Sequence, residues 1–181
     1  MTKSNLKYTL CLMVFIFTNT ISLKAQNIEI EEFIKIVNNQ SLSIVSDIVR
    51  NKGYNLAYSR EYKGEGWEGS YITDVAFAKN VEYNSYSDSW IVKSKSNSYL
   101  KMLFNNTNHA VEQVIFCFSS SILYKNYKSR LVSLGFKYQF DEASDDCIKL
   151  IYANDKEQSW IVLKEYTDKT FAMYWWKDNN E

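Results

Sequence analysis

The chain has 181 residues, with 21 basic and 21 acidic side chains, no proline and a single histidine. This balance of charge leaves no basic footprint for nucleic acid, and one histidine excludes a metal site built on several histidines. The length suits one compact domain or two small fused ones.

An N-terminal signal peptide is predicted over residues 1–25. Two lysines precede a short apolar run at residues 10–17, and Ala25 supplies the small residue at the predicted cleavage site. The run is shorter than the roughly 20 residues that a helix needs to cross a bilayer, so no membrane span is expected after cleavage. Cleavage would leave 18 basic and 21 acidic residues in a chain of about 155. We therefore expect a periplasmic or secreted bacterial protein.

A helical region is predicted directly after the signal. Apolar residues follow helical spacing over residues 30–37 and again over 42–49, on either side of a polar interruption. Gly53 occupies the position of a helix C-cap, and residues 54–58 then alternate as in a half-buried strand. The strands predicted next are 54–62, 71–79, 89–95 and 98–104.

The same order of elements recurs 82 residues later in the chain. The matching pairs are Leu42 and Tyr124, Val45 and Tyr127, Val49 and Leu131, and Gly53 and Gly135. In addition, the letters Ser-Trp-Ile-Val at 89–92 recur at 159–162. The strands predicted for this second copy are 136–141, 147–153, 159–166 and 170–177. The recurrence predicts an α+β fold of two tandem helix-plus-antiparallel-sheet repeats, residues 26–118 and 119–181, forming one compact domain.

Residues 111–118 fit two interpretations. Val111, Val114, Ile115 and Phe118 have helical spacing, whereas the run Val-Ile-Phe-Cys-Phe favours a buried strand. We prefer the strand.

The order of elements and the repeat length resemble those of the β-lactamase inhibitory proteins, secreted chains of two helix-plus-four-strand repeats. The resemblance covers nearly all of the chain after the signal, and it carries over no individual residues. The cysteines depart from that family, which is expected to have a disulfide within each repeat, whereas each copy here offers one thiol.

Two cysteines remain after signal cleavage, Cys117 and Cys147. An exported protein enters a compartment that permits disulfides, but a sequence does not establish whether two cysteines lie within bonding distance. The sequence leaves two alternatives: a disulfide between these cysteines, or a pair of buried thiols.

Most strand aromatics are expected to be core because of their periodicity, among them Tyr54, Phe136, Phe140 and Trp160. Trp67 differs, because it lies between glycines in a polar loop with Glu65 and Glu68 beside it. Exposed loop tryptophans are common interface anchors or platforms for sugars, although a tryptophan can also fold back over the sheet. Trp67, Glu65 and Glu68 are therefore the candidate binding residues.

Two motifs suggest chemistry and are set aside. Gly64, Gly66 and Gly69 fit a dinucleotide pattern, but a strand follows them where a phosphate site needs a helix. His109 lies in a polar turn and is predicted to be a plain turn residue. No catalytic nucleophile with a neighbouring base is apparent in the sequence.

These observations favour an exported, non-catalytic binding protein without a cofactor. We expect it to contact another protein, as an inhibitor or an immunity-type factor. The alternative is a small-molecule, glycan or lipid-binding module of the cell envelope. A hydrolase that uses paired carboxylates is the third hypothesis, since the spacing of such a pair is a property of the fold.

Overall fold

Among the described residues, three helices form where the apolar spacing is helical, namely α1 (Ile30–Val37), α2 (Leu42–Arg50) and α3 (Ser121–Arg130). They belong to a computed structural model that describes residues 27–63, 71–87, 89–92 and 98–177. The start of α1 is fixed by Glu32, whose carboxylate accepts the backbone NH of Glu29 at 3.0 Å. Ser120 caps α3 by accepting the NH of Leu123 at 3.2 Å. A single-turn 3₁₀ helix, Val132–Leu134, follows α3.

Ten strands account for most of the remaining described residues. They are β1 Asn55–Lys63, β2 Tyr71–Lys79, β3 Val81–Asn84, β4 Ser89–Val92, β5 Ser98–Asn105, β6 Ala110–Phe118, β7 Lys137–Ala143, β8 Cys147–Asn154, β9 Ser159–Tyr166 and β10 Phe171–Lys177. The strand interpretation of residues 111–118 is confirmed by β6. Helices and an antiparallel sheet in one chain also confirm the predicted α+β class.

Eight of the strands form one antiparallel sheet in the order β1-β2-β5-β6-β10-β9-β8-β7. Strands β1, β2, β5 and β6 lie side by side in chain order, and so do β7, β8, β9 and β10. The two groups meet where β6 pairs with β10. Consequently β1 and β7 are the two edges of the sheet, and the last strand of the chain lies at its centre.

Three features of the entry into the sheet recur at the 82-residue offset. Gly53 and Gly135 precede β1 and β7 with φ angles of 82° and 90°, which glycine adopts without the steric cost of a Cβ. The residues that follow them, Tyr54 and Phe136, are both 2 % exposed. The strand register then shifts at Ala57 in β1 and at Gln139 in β7, where each edge strand has a bulge.

The repeated Ser-Trp-Ile-Val letters occupy different places in the fold. Residues 89–92 form β4, which pairs with β3 in a separate two-strand ladder. Residues 159–162 begin β9, a central strand of the eight-strand sheet. The third strand in the first half of the sheet is β5, whereas the third strand in the second half is β9. The four-letter match between β4 and β9 therefore does not correspond to a shared position in the sheet.

The hydrophobic core lies between the helices and one face of the sheet. Helix side chains such as Phe33, Val45 and Tyr127 form a single buried cluster with one set of strand residues. Trp175 and Phe116 are members of this cluster and have almost no exposed surface. Because side chains alternate along a strand, every second strand residue points into this core.

Cys117 and Cys147 are both free thiols in the structure. They lie on β6 and β8, which are separated by β10 and β9. Three interstrand spacings put the two backbones at least roughly 14 Å apart, well beyond the Cα separation of about 7 Å at which a disulfide becomes impossible without backbone movement. The geometry favours two unpaired thiols over the disulfide.

A thiol count tests this placement. Titration of the purified protein under denaturing, non-reducing conditions is expected to find both Cys117 and Cys147 reactive. Prior reduction should add no further reactive thiol at either position. A peptide map in which these two cysteines are linked would contradict the strand order described here.

Candidate binding surface

The face of the sheet opposite the helices, here called the open face, is crossed by one row of eight side chains. From edge to edge the row is Tyr58, Ala76, Lys101, Ile115, Tyr174, Val162, Ile151 and Phe140. Residues two positions away on each strand share this face. The described helices pack on the other face, because their buried side chains form one cluster with that set of strand residues.

Aromatic side chains form much of the open face. Trp160 and Trp176 are neighbours on β9 and β10, and their rings stack with centroids 6.5 Å apart and an angle of 10° between the planes. Phe140 lies on the edge strand β7 and is 49 % exposed. The placement of Phe140 and Trp160 differs from the expectation that they are core, because alternation along β7 and β9 turns them away from the helices.

Lysines are interspersed with these aromatics. Lys101 pairs with Asp74 at 3.3 Å, and Lys149 pairs with Glu142 at 3.0 Å. Lys164 is the cross-strand neighbour of Lys149, and its ammonium nitrogen lies 4.1 Å from the centroid of the Tyr174 ring. Because Lys101 and Lys149 are neutralised by carboxylates on the same face, the net positive charge of these three lysines is reduced to about that of Lys164 alone.

A stacked arginine marks the β1 end of the open face. The Arg60 guanidinium lies 4.8 Å from the ring centroid of Tyr58 and 5.4 Å from that of Tyr83. Tyr83 belongs to β3, so the two-strand ladder packs against this end of the sheet. The Tyr58 hydroxyl donates to Asp74 at 3.2 Å. Arginine between tyrosines is an arrangement common in protein interfaces.

Cys117 lies on the open face but is not activated. Burial raises the pKa of its thiol to about 11, although a hydrogen bond from Tyr99 and the charge of Lys164 act in the opposite direction. The thiolate is the nucleophilic form of cysteine, so this thiol is unreactive near neutral pH. His109 is in the turn at the other end of β6, roughly 20 Å away along the strand, and therefore cannot act as its base.

The predicted binding residues Glu65, Trp67 and Glu68 lie outside the described residues, as does the predicted signal peptide. The strands that flank this loop are described. Tyr71, the first residue of β2, accepts the NH of Asn106 at 2.8 Å and donates its own NH to Thr107 at 3.2 Å. The base of the loop is thereby attached to the turn that contains His109.

His109 has the left-handed backbone expected of some turn residues, with φ of 53°. Within the described residues, no group of three or more histidine, cysteine, aspartate or glutamate side chains could hold a metal ion. None of the helices in the described ranges has both the length and the apolar character that a membrane crossing requires.

Comparison with known proteins adds no assignment: no family model, curated protein or solved structure matches this chain. Sequence reasoning named no residue of the open face as a binding residue. The sequence signal that could have identified the open face is the alternation in the run Phe171–Lys177. In this run Tyr174 and Trp176 fall on one face, and Met173 and Trp175 fall on the other.

Proposed function

We propose that this protein is an exported, non-catalytic binding protein that contacts another protein through the open face. The observation that carries the proposal is the set of aromatic residues and lysines on the open face, which is the face away from the described helices. Inhibition of the partner, or protection against it, is the kind of activity that such a contact would provide.

The dimensions of the open face favour a protein partner. In sheet order, the six strands from β5 to β7, at about 4.8 Å spacing, give a surface roughly 24 Å wide beside the end that the two-strand ladder covers. A standard interface buries roughly 800 Å² on each partner, and aromatic residues and arginine are enriched in such interfaces. Lys164 favours a partner whose contacting surface carries a carboxylate, since Lys101 and Lys149 are already paired with Asp74 and Glu142.

Tandem repetition of the two sheet halves is part of the proposal. It is supported by the 82-residue offset shared by the two positive-φ glycines, by the buried aromatics after them and by the two edge bulges. The resemblance to the β-lactamase inhibitory proteins, based on element order, agrees with this interpretation. Export is supported by the N-terminal residues alone.

A binding module for a small molecule, glycan or lipid remains the second candidate. The stacked Trp160 and Trp176 rings favour it, because flat aromatic surfaces also bind sugar rings. A protein partner accounts for the lysines as well as the aromatics, and for this reason it is preferred.

The edge strand β7 supplies a matched pair of variants for testing the open face. Phe140 and Tyr138 are 49 % and 47 % exposed, but Phe140 pairs with Ile151 on the open face whereas Tyr138 pairs with Tyr152 on the helix face. In a pull-down from envelope extract, Phe140→Ala is expected to weaken capture of a stoichiometric partner about tenfold or more, as an interface anchor would. Tyr138→Ala should leave capture unchanged.

The two outcomes that oppose the proposal are distinct. Equal loss for both variants would indicate a general effect of damage to β7, and no loss for either would place the contact elsewhere. Trp67→Ala tests the predicted loop anchor in the same assay. Retained binding of a glycan or lipid with no captured protein would favour the second candidate.

A further inference from the structure

A polar cleft of about 280 Å³ lies at the end of the sheet, away from the open face. Its walls come from the loop between α1 and α2, the turn between β5 and β6, and the last residue of β10. The polar side chains around it are Asn38, Asn39, Gln40, Asn108, His109 and Lys177. Val37 and Val111 provide its apolar part.

Hydrogen bonds hold two of the carboxamides in place. The side-chain oxygen Oδ1 of Asn39 accepts a hydrogen bond from the backbone NH of Ser41 at 2.9 Å, at the start of α2. Asn108 donates its side-chain NH to Glu112 at 3.0 Å. Glu112 is only 7 % exposed and also accepts from Asn105 at 3.3 Å. The two walls of the cleft are therefore preorganised, which reduces the entropy lost on binding.

The composition of the cleft selects the chemistry of a ligand. A carboxamide both donates and accepts hydrogen bonds, so four of them around one cleft suit a ligand with several hydroxyl groups. Lys177 adds a positive charge, and the described residues that line the cleft include no carboxylate. The nearby Glu112 is buried and is occupied by its hydrogen bonds from Asn105 and Asn108. A carboxylate on the ligand would therefore be attracted to Lys177.

We propose that this cleft binds a small polyhydroxylated carboxylate, of the size of one sugar acid. The volume of about 280 Å³ lies just below the range for small-molecule sites, about 300 to 1,000 Å³, which fits one ring and excludes an oligosaccharide buried as a whole. The site is separate from the open face, so it could be occupied while a protein partner is bound.

The test is a titration followed by ¹H–¹⁵N correlation spectra of the full protein, with D-glucuronate as the probe. Saturable shifts are expected for the backbone amides of residues 38–40 and 108–110, with a Kd in the millimolar range. D-glucose, which lacks the carboxylate, and acetate, which lacks the hydroxyls, are each expected to bind about threefold to fivefold more weakly.

Variants separate a specific site from a general charge effect. Lys177→Gln should weaken glucuronate binding about threefold to fivefold, while Lys169→Gln, at the opposite end of the sheet, should not. His109→Asn keeps a residue that tolerates positive φ and removes the imidazole, and it should also weaken binding. Unchanged spectra outside residues 38–40, residues 106–112 and the immediate neighbours of each substituted position verify that each variant is folded.

Two results would overturn the proposal. The first is the absence of saturable shifts at these amides up to the solubility of glucuronate. The second is equally tight binding of all three probes, together with no change in that binding in Lys177→Gln or His109→Asn.

Discussion

Replacement of Trp175 by alanine is expected to lower the free energy of unfolding by about 3 to 5 kcal/mol, the usual cost of removing a large aromatic side chain from a core. Trp175 is 1 % exposed and belongs to the cluster beneath the helices. Equilibrium unfolding in urea, followed by circular dichroism, measures the change. A loss of this size is a large part of the stability of a domain, which is typically 5 to 15 kcal/mol.

The adjacent residue provides the control. Trp176 has the same side chain on the same strand, but it lies on the open face and stacks on Trp160. Trp176→Ala is expected to cost about 1 kcal/mol, close to the value of one aromatic pair, and to reduce capture of the protein partner instead. If the two variants are destabilised equally, the assignment of the two faces is wrong.

Alkaline pH is expected to destabilise the protein through Tyr54. This residue is 2 % exposed, and burial raises the pKa of its phenol to about 12, despite a hydrogen bond with Ser98 at 2.7 Å. In the unfolded chain the pKa is about 10. Below pH 10 both states are protonated. Above it only the unfolded state loses the proton, so stability falls by about 1.4 kcal/mol per pH unit until the folded pKa is reached.

The measurement is the free energy of unfolding at several pH values between 8 and 12, compared with Tyr54→Phe. The variant loses the titrating group, so its stability should fall less steeply, with a difference of about 2.3 kcal/mol at pH 12. Tyr86→Phe is the control, because Tyr86 is fully exposed at 101 %. Parallel pH curves for wild type and Tyr54→Phe would show that Tyr54 ionises freely in the folded state.

Local patterns in the sequence predict most of the elements of this fold. The helical spacing of residues 30–37 and 42–49 and the glycine at 53 each reflect interactions within a few residues of chain, and the structure has α1, α2 and the turn into β1 at these positions. The β10 run also alternates as expected. In such segments the local pattern and the final packing agree.

Strand pairing is harder to predict from the sequence, because it depends on residues that are far apart in the chain. The letters Ser-Trp-Ile-Val favour a strand equally well in β4 and β9, yet one pairs with β3 and the other with β8 and β10. The short strand β3 was not predicted, since its four residues are too few to establish a period.

The open face illustrates the same limit for the candidate site. Alternation separates Trp175 from Trp176, but nothing in the two side chains determines which one the helices cover. The polar cleft is harder still, because Asn39, Asn108 and Lys177 come from three distant segments. Only the folded chain brings them together.

The position of β10 has a consequence for the order of assembly. Strand Phe171–Lys177 follows every other described strand in the sequence, yet it lies between β6 and β9 and joins the two halves of the sheet. Until it emerges from the ribosome, β6 and β9 each lack a neighbour, and the eight-strand sheet cannot close. The native sheet therefore becomes available only after β10 has been made. Export of the chain in an unfolded state, as proposed here, is favoured by that order.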